Sequence, residues 1–257
     1  MHDICRKIRQ NKQWPHEWTK VIFVPLPKAG DLKECINYRN VSLICHASRV
    51  TLCIILNQLR QFSERELPEE QAGFRVGRGT RYMLFILQLV IEKTLELEEK
   101  EVYMIFVDYS KAFDKVHHRM LFETTIEMGN HTVPSCATNR RKQEAAVRWN
   151  GQLTDWFQIG QGTRQGCNVS PTEFNIYGEN IIRRVEEKNK RGIGGRRMTN
   201  LRYADDTTII SSSASGIRKY FQDLVTESKY YNIEINVTKT KVMVVSRQEG
   251  LRACIWK

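Results

Sequence analysis

The sequence predicts an α+β fold in which an antiparallel sheet carries helices on one face. Segments with helical and with strand patterns follow one another irregularly, without the βαβ repetition that is typical of a parallel sheet. The 257 residues include 41% hydrophobic and 27% charged residues, which is the balance of a globular protein with enough apolar material for a core. This composition excludes an intrinsically disordered chain.

The charge of the chain indicates a polyanionic partner. Lys and Arg total 40 against 29 Asp and Glu, so the formal charge is +11. The longest apolar stretch, Met83 to Ile91, is too short to cross a bilayer, and the N-terminus lacks a secretory signal. The 7 cysteines are scattered without a CxxC pair, as in a reduced chain rather than a disulfide scaffold or a zinc module. We expect an intracellular protein of the nucleus or cytoplasm that is not secreted and binds no membrane.

A helix and a strand are expected first. The basic segment Met1 to Gln13 predicts a short helix, and the apolar run Thr19 to Pro27 predicts a strand. Pro25 and Pro27 indicate that this strand lies at a sheet edge or that it ends there, because proline donates no ladder hydrogen bond.

Two longer helices follow. The first should cover Ala47 to Phe62. Its apolar face is expected from helical spacing to hold Val50, Ile54, Ile55 and Leu59. Thr80 is a plausible N-cap for the second, from Arg81 to about Glu99.

The remaining segments alternate between strands and helices. An apolar strand ends at Asp108, and Asn150-Gly151 is a strong signal for a hairpin turn. In chain order we expect a strand at Glu101–Val107, a helix at His118–Met128, paired strands at Ala145–Trp149 and Asp155–Ile159, a helix from Pro171 to Lys188, a strand–turn–strand at Leu201–Ile210, a helix at Gly216–Tyr231 and a strand at Lys241–Ser246.

Candidate acidic sites lie at the end of one predicted strand and in the turn between two others. Asp108 ends an apolar strand, although aspartate is also a common turn residue. Asp205 and Asp206 are adjacent in the turn of YADD, where like charges repel unless a cation neutralises them. Hard carboxylate oxygens from two strands suit Mg²⁺, and two such ions about 4 Å apart assist phosphoryl transfer. The sequence contains no GxxxxGK[ST] phosphate loop and no Cys/His spacing for zinc.

Several motifs resemble one known family. FVDYSKAFD, GTRQGCNVSP and YADDTTI are similar, in order, to the A, B and C palm motifs of reverse transcriptases of non-LTR (LINE-type) retrotransposons. NYRNVSLICHASRV, QAGFRVGRGT and KTKVM match the same family. The resemblance implies a right-hand polymerase fold of fingers and palm, and RNA-directed synthesis of DNA from deoxynucleoside triphosphates on a DNA primer and an RNA template.

The resemblance also implies a catalytic set. Asp108 and Asp205 resemble the ligands of two Mg²⁺ ions, for which Mn²⁺ is an alternative, and Asp206 is their neighbour in the catalytic turn. Lys239 resembles the lysine that protonates departing pyrophosphate, although Lys241 could face the same side.

The remaining site residues are expected around the nucleotide and the template. Lys28 and Arg39 match basic residues that hold the incoming triphosphate. Phe113 matches an aromatic gate that excludes a 2′-hydroxyl, with core packing as the alternative. Gln165 and Gly166 match a loop that contacts the nucleotide and template. Template phosphates are expected at Arg75 and Arg78.

The resemblance sets the expected domain organisation as well. One reverse transcriptase domain should span about residues 14–250, with a fingers-like region and N-terminal helix at 1–100 and a palm at 101–250. The chain ends soon after KTK, so we expect the thumb to be absent.

Two other functions stay open. The early end and the polar segment Asn130 to Gln143, which lacks the apolar helix of relatives, favour a catalytically inactive, truncated remnant that at most binds nucleic acid. An RNA-dependent RNA polymerase is the other alternative, and Phe113 with the YADD and RQG motifs counts against it. The sequence leaves the oligomeric state open.

Overall fold

The chain divides into two units that interleave along the sequence. The computed structural model describes residues 2–11, 13–28, 30–97, 100–129, 143–164, 166–189 and 199–247. One unit comprises Met1–Glu66 and Phe113–Tyr177, and the other comprises Leu67–Ala112 and Gly178–Lys257. The division into fingers at 1–100 and palm at 101–250 stays a prediction.

The elements alternate irregularly, as expected for an α+β chain. The helices are α1 (His2–Asn11), α2 (His16–Thr19), α3 (His46–Glu66), α4 (Thr80–Glu96), α5 (Ala112–Lys115), α6 (His118–Glu127), α7 (Ser170–Asn189) and α8 (Ala214–Tyr230). The strands are β1 (Lys20–Pro27), β2 (Tyr38–Leu43), β3 (Glu101–Val107), β4 (Glu144–Trp149), β5 (Gln152–Leu153), β6 (Phe157–Gln158), β7 (Asn200–Tyr203), β8 (Asp206–Ser211) and β9 (Lys241–Ser246). Among the residues described, every helix is too short or too polar to cross a lipid bilayer.

The sheet of the first unit is mixed, which departs from the antiparallel expectation. Its strand order is β2-β1-β4-β5, and β6 pairs with β4. Strand β1 is therefore internal, antiparallel to β2 and parallel to β4. The ladder to β4 ends at Phe23, and the N–H of Lys28 points toward β2. By alternation Pro25 and Pro27 have their nitrogens on the other side, where β4 no longer pairs, so they mark the end of one ladder.

Helix α3 supplies the core of the first unit with part of the expected face: Leu59 is buried and Ile55 packs against the cluster, whereas the other two expected residues do not. The buried cluster contains Leu52, Leu56, Leu59, Phe62, Cys167, Val169 and Ile176. Val50 and Ile54 are about half exposed, at 53% and 50%. Both sets have i, i+4 spacing within the largely apolar run Val50 to Leu56, so spacing alone could not select the buried face.

The sheet of the second unit is antiparallel throughout and positions the candidate site. Its order is β7-β8-β3-β9, which makes β3 an internal strand. Tyr103, Met104 and Ile105 are buried in succession. Since successive side chains point to opposite faces, side chains on both faces of β3 are buried.

Local signals in the sequence predicted several boundaries. Strands β3 and β9 have the expected bounds. Asn150 and Gly151 form the predicted turn with φ of 47° and 81°, as a two-residue hairpin requires. The N-cap of α4 is Gly79 rather than Thr80, which is already helical. Of the segment Asn130 to Gln143, residues 130–142 lie outside the described residues.

Candidate active site

Asp108 stands at the end of an internal strand, beside the turn between β7 and β8. Strand β3 pairs with β8 in an antiparallel register that sets Val107 opposite Thr207. The next position on each strand brings Asp108 level with Asp206. Because antiparallel strands run in opposite directions, the carboxyl end of β3 meets the amino end of β8, and carboxylates distant in sequence lie together.

The two carboxylates of the YADD turn differ in solvent exposure. Tyr203 pairs with Asp206 across the turn, and Ala204 has a left-handed φ of 58°. Asp205 is half-buried, whereas Asp206 is exposed. The unusual backbone at Ala204 keeps the turn tight enough for β8 to begin at Asp206.

Three carboxylates bring negative charge together at this site. Burial raises the pKa of Asp205, and the nearby carboxylates of Asp206 and Asp108 raise it further. A hydrogen bond to its own backbone acts in the opposite direction. A divalent cation between the carboxylates would remove this repulsion.

The donor set fits a hard divalent cation that shares its shell with substrate. In the part of the chain that the structure describes, no group of three or more His, Cys, Asp or Glu residues forms a complete metal cage. Mg²⁺ commonly takes one or two carboxylates and fills its other positions with water and phosphate oxygens. Asp108 and Asp205 match that pattern, and their roles as ligands stay a prediction.

A loop after α8 ties Lys239 to the same strand end. Asp108 accepts a backbone hydrogen bond from Asn236 at 2.7 Å and donates its own N–H to the hydroxyl of Thr240 at 3.3 Å. The ammonium of Lys241 donates to the carbonyl of Thr238 at 3.2 Å. Lys239 and Lys241 are both exposed, and the choice of Lys239 as the proton donor stays a prediction.

The QAGF segment, residues 71–74, packs against the YADD turn. The sequence motif alone did not predict this contact. A Cβ added to Gly73 would lie 2.2 Å from the nitrogen of Ala204, so the two backbones are in direct contact. Gln71 is 1% exposed and binds the same residue. The one signal that the sequence offered was a polar residue, Gln71, two positions before the motif glycine Gly73.

The two arginines proposed for the template differ in exposure. Arg75 is buried at 7% exposure, and its guanidinium donates to the carbonyls of Pro68 at 2.5 Å and Gln71 at 3.0 Å. Arg78 pairs with the exposed carboxylate of Glu69 at 2.7 Å. These bonds give Arg75 a structural role in its loop, and template contact by either residue stays a prediction.

In the first unit, contacts of both the ring and the backbone fix the position of Phe113. Its ring stacks on that of Phe174 with 4.2 Å between centroids and 22° between planes. Phe174 is buried at 3% exposure. The carbonyl of Phe113 accepts from the N–H of Thr163 at 2.7 Å and from its hydroxyl at 3.1 Å. A fixed, half-buried ring is what a steric gate requires, but core packing would look similar.

Lys28 and Arg39 lie at the same end of the β1–β2 pair. Leu26 is opposite Arg39, and the N–H of Lys28 bonds the carbonyl of Asn37 at 2.7 Å. These pairings put Lys28 and Arg39 on one face of the ribbon. Both side chains are exposed, as phosphate binding would need.

The predicted RQG loop is described only in part. Gln165 lies outside the described residues. Gly166 is exposed with a φ of 100°, a conformation that favours glycine. A Cβ there would lie 3.5 Å from the carbonyl oxygen of Ser42, so the loop passes close to β2.

The structure thus distributes the candidate residues between its two units. The second unit holds Asp108, Asp205, Asp206, Lys239, Arg75 and Arg78, and the first holds Lys28, Arg39, Phe113 and Gly166.

Comparison with known proteins identifies a family. Residues 26–252 match the family described as reverse transcriptase (RNA-dependent DNA polymerase). The chain is 25% identical over 217 residues to a retrovirus-related Pol polyprotein from the type-1 retrotransposable element R2 of Nasonia vitripennis, with 82% of this chain and 20% of that protein aligned. It is 24% identical over 228 residues to the transposon TX1 uncharacterized 149 kDa protein of Xenopus laevis, with 87% and 17% aligned. The chain spans about a fifth of the length of these relatives.

Solved structures of telomerase have the same fold. The telomerase of Candida albicans, in complex with a TWJ fragment of telomeric RNA, matches 98% of this chain and 46% of its own with a TM-score of 0.68 and 11% identity. The corresponding Candida tropicalis complex matches 95% and 45% with a TM-score of 0.63 and 15% identity. These likenesses confirm the right-hand polymerase fold. The family match over most of the chain and the retrotransposon relatives show more: this chain belongs to the reverse transcriptase family, in the group of non-LTR retrotransposons.

Proposed function

We propose that this chain catalyses RNA-templated DNA synthesis at the strand end that holds Asp108 and Asp205. The observation that carries the proposal is the sheet register that brings Asp108 level with the turn of Asp205. Burial raises the pKa of Asp205, and the carboxylates of Asp206 and Asp108 raise it further. Clustered carboxylates of this kind are expected where a divalent cation and substrate phosphates complete a site.

The proposed reaction joins a deoxynucleotide to a primer. The primer 3′-hydroxyl oxygen forms a bond to the α-phosphorus of the triphosphate and loses its proton. The bond from that phosphorus to the bridging oxygen breaks, and pyrophosphate leaves. Two divalent ions, when bound to Asp108 and Asp205, would stabilise the attacking and leaving oxygens. Lys239 is the proposed donor of a proton to pyrophosphate, because it is exposed on the loop that hydrogen-bonds the backbone of Asp108.

The first unit would hold the nucleotide. Lys28 and Arg39 would neutralise phosphate charge from one face of the β1–β2 pair. Phe113 would exclude ribonucleotides, since its ring, backed by Phe174, could not withdraw from a 2′-hydroxyl. Gln165 and Gly166 are the proposed contacts to nucleotide and template.

Nucleic-acid binding without synthesis is a second candidate function. The net charge of +11 favours it, because phosphate neutralisation gives binding that needs no intact catalytic site. In either case we propose an intracellular protein of the nucleus or cytoplasm, with an RNA template and a DNA primer as partners.

A primer-extension assay separates the candidates. Labelled oligo(dT) annealed to poly(rA) is incubated with Mg²⁺ and either deoxythymidine or uridine triphosphate. The proposal predicts extension with the deoxynucleotide only. Salt-sensitive binding of the primer–template without extension would support the second candidate, and preferential extension with the ribonucleotide would support an RNA polymerase.

A further inference from the structure

A short segment before α4 adds to the edge of the catalytic turn. Gln71 bridges Arg202 in a parallel arrangement. The N–H of Ala72 donates to the carbonyl of Arg202 at 2.9 Å, and the N–H of Arg202 donates to the carbonyl of Glu70 at 2.7 Å. Residues 70–72 therefore act as an extra edge along the last residues of β7, directly before the YADD turn.

The side chain of Gln71 binds both backbone polar groups of Ala204. Its Oε1 accepts from the N–H of Ala204 at 3.1 Å, and its Nε2 donates to the carbonyl of Ala204 at 3.4 Å. The same Oε1 also accepts from the N–H of Gly73 at 2.8 Å. One buried amide thus links the supporting segment to the residue just before Asp205.

The conformation of Ala204 needs such support. Its φ of 58° is left-handed, which is unfavourable for a residue with a Cβ. Strained backbone of this kind persists where surrounding contacts over-determine it. A side chain that grips the N–H and the carbonyl of Ala204 restricts the rotation of both its peptide planes.

We propose that Gln71 is a positioning residue for the metal-binding carboxylates. By holding Ala204 in its left-handed conformation, Gln71 sets the carboxylate of Asp205 against that of Asp108 and so raises the affinity of the site for a divalent cation. This inference rests on the proposed function, because it assumes that Asp108 and Asp205 bind the cation.

The chemistry of the bonds restricts the residue at this position. Within the length of a glutamine side chain, an amide both accepts from one backbone group and donates to another. An ionised glutamate accepts but does not donate, and it adds charge near Asp205. Methionine preserves length and removes all three side-chain bonds, those to Ala204 and the one from Gly73, so Gln71→Met tests the whole contact.

The experiment measures Mn²⁺ binding to the full chain by the loss of the free-ion electron paramagnetic resonance signal. The variants are Gln71→Met, Asp205→Asn and a matched control, Asn180→Leu. Asn180 is a buried amide of the same unit, and its Nδ2 donates to the hydroxyl of Tyr231 at 2.9 Å. Asp205→Asn must abolish the tight site, otherwise the proposed metal site itself is overturned.

The expected result is selective. Gln71→Met should weaken Mn²⁺ binding about 10- to 100-fold, the range seen when groups behind metal ligands are removed, while Asn180→Leu leaves the affinity unchanged. Binding that depends on Asp205 but is unchanged in Gln71→Met would overturn the positioning role alone.

A second variant covers the case in which Gln71→Met folds poorly. Glycine adopts a positive φ without steric penalty, so Ala204→Gly should restore much of the Mn²⁺ affinity that Gln71→Met loses. A general packing defect would not be rescued at that one residue, and a double variant no better than Gln71→Met would overturn the proposal.

Discussion

The N–H of Asn236 donates to the carbonyl of Asp108 over 2.7 Å, which joins the end of β3 to the loop of Lys239. The side-chain oxygen of Asn236 accepts from the hydroxyl of Thr238 at 2.8 Å and from the N–H of Lys239 at 3.3 Å. One residue thereby fixes both the backbone of a candidate metal ligand and the turn of a candidate proton donor. Asn236 therefore links the two segments through its N–H and its side-chain oxygen.

Thr240→Val should loosen this connection. The hydroxyl accepts from the N–H of Asp108 and donates to the carbonyl of Asn236 at 2.8 Å. Valine keeps the shape and removes both bonds, so we expect a loss of about 1–3 kcal/mol in the free energy of unfolding, measured with urea. Thr226→Val is the control, since Thr226 is exposed on α8 and bonds the carbonyl of Gln222. An equal loss in both variants would remove the special role of Thr240.

Asp205→Asn should stabilise the metal-free protein at neutral pH. Burial and neighbouring carboxylates raise the pKa of Asp205 in the folded state, so the folded protein binds this proton more tightly than the unfolded chain. Ionisation of Asp205 therefore lowers the free energy of unfolding. This loss is complete at pH values above the raised pKa and absent at pH values below the unfolded pKa of about 3.9.

Thermal melting in EDTA measures this effect. The melting temperature of Asp205→Asn should exceed that of the wild type at pH 7.5, and the difference should shrink as the pH falls toward 4. Asp155→Asn, at an exposed loop position, is the control. A difference that grows on acidification would contradict the assigned electrostatics.

Much of this fold follows from local sequence. Strand β3 is apolar after Glu101 and β9 follows a turn, so their bounds were predictable. The internal position of β1 was not, because its parallel partner β4 lies more than a hundred residues away. The buried face of α3 was predictable only in part: Leu59 is in the core as expected, whereas Leu56 and Ile54 are alike in hydrophobicity and differ in what they pack against.

The candidate site was likewise predictable only where local sequence determines it. Asp108 and Asp205 were predicted from strand ends and a motif, and sheet register brings them together. Gln71 was not singled out, because its role depends on a contact across 133 positions. Arg75 was predicted to face the template, yet its guanidinium bonds nearby carbonyls, and side-chain direction in a loop has no sequence pattern.

Gly73→Ala should displace the catalytic turn. The added Cβ would meet the nitrogen of Ala204 at 2.2 Å, and backbone must move to relieve the contact. We expect a loss of about 1–3 kcal/mol in the free energy of unfolding, together with weaker primer extension. Gly178→Ala is the opposite case, since a Cβ on that helical residue meets nothing within 4 Å and should gain about 0.5–1 kcal/mol. If Gly73→Ala lowered the free energy of unfolding no more than Gly178→Ala, the turn would not be closely packed against Gly73.

Phe113→Ala should admit ribonucleotides. Removing the ring opens space for a 2′-hydroxyl, and the preference for deoxythymidine over uridine triphosphate should fall on the order of 10- to 100-fold in kcat/KM. Phe174→Ala should have a smaller effect in the same direction, because the gate ring loses its support. Phe157→Ala, at an exposed aromatic of β6, should change nothing. An unaltered preference in Phe113→Ala would assign this ring to core packing.

The central claim is that carboxylates at the end of β3 and in the YADD turn carry RNA-templated DNA synthesis. Its most direct measurement is the rate of deoxythymidylate addition to oligo(dT) on poly(rA) in Mg²⁺ by the wild type, Asp205→Asn and Asp155→Asn. The wild type and Asp155→Asn should extend the primer equally, and Asp205→Asn should be slower by at least about a hundredfold. Extension by Asp205→Asn at the wild-type rate would contradict the account.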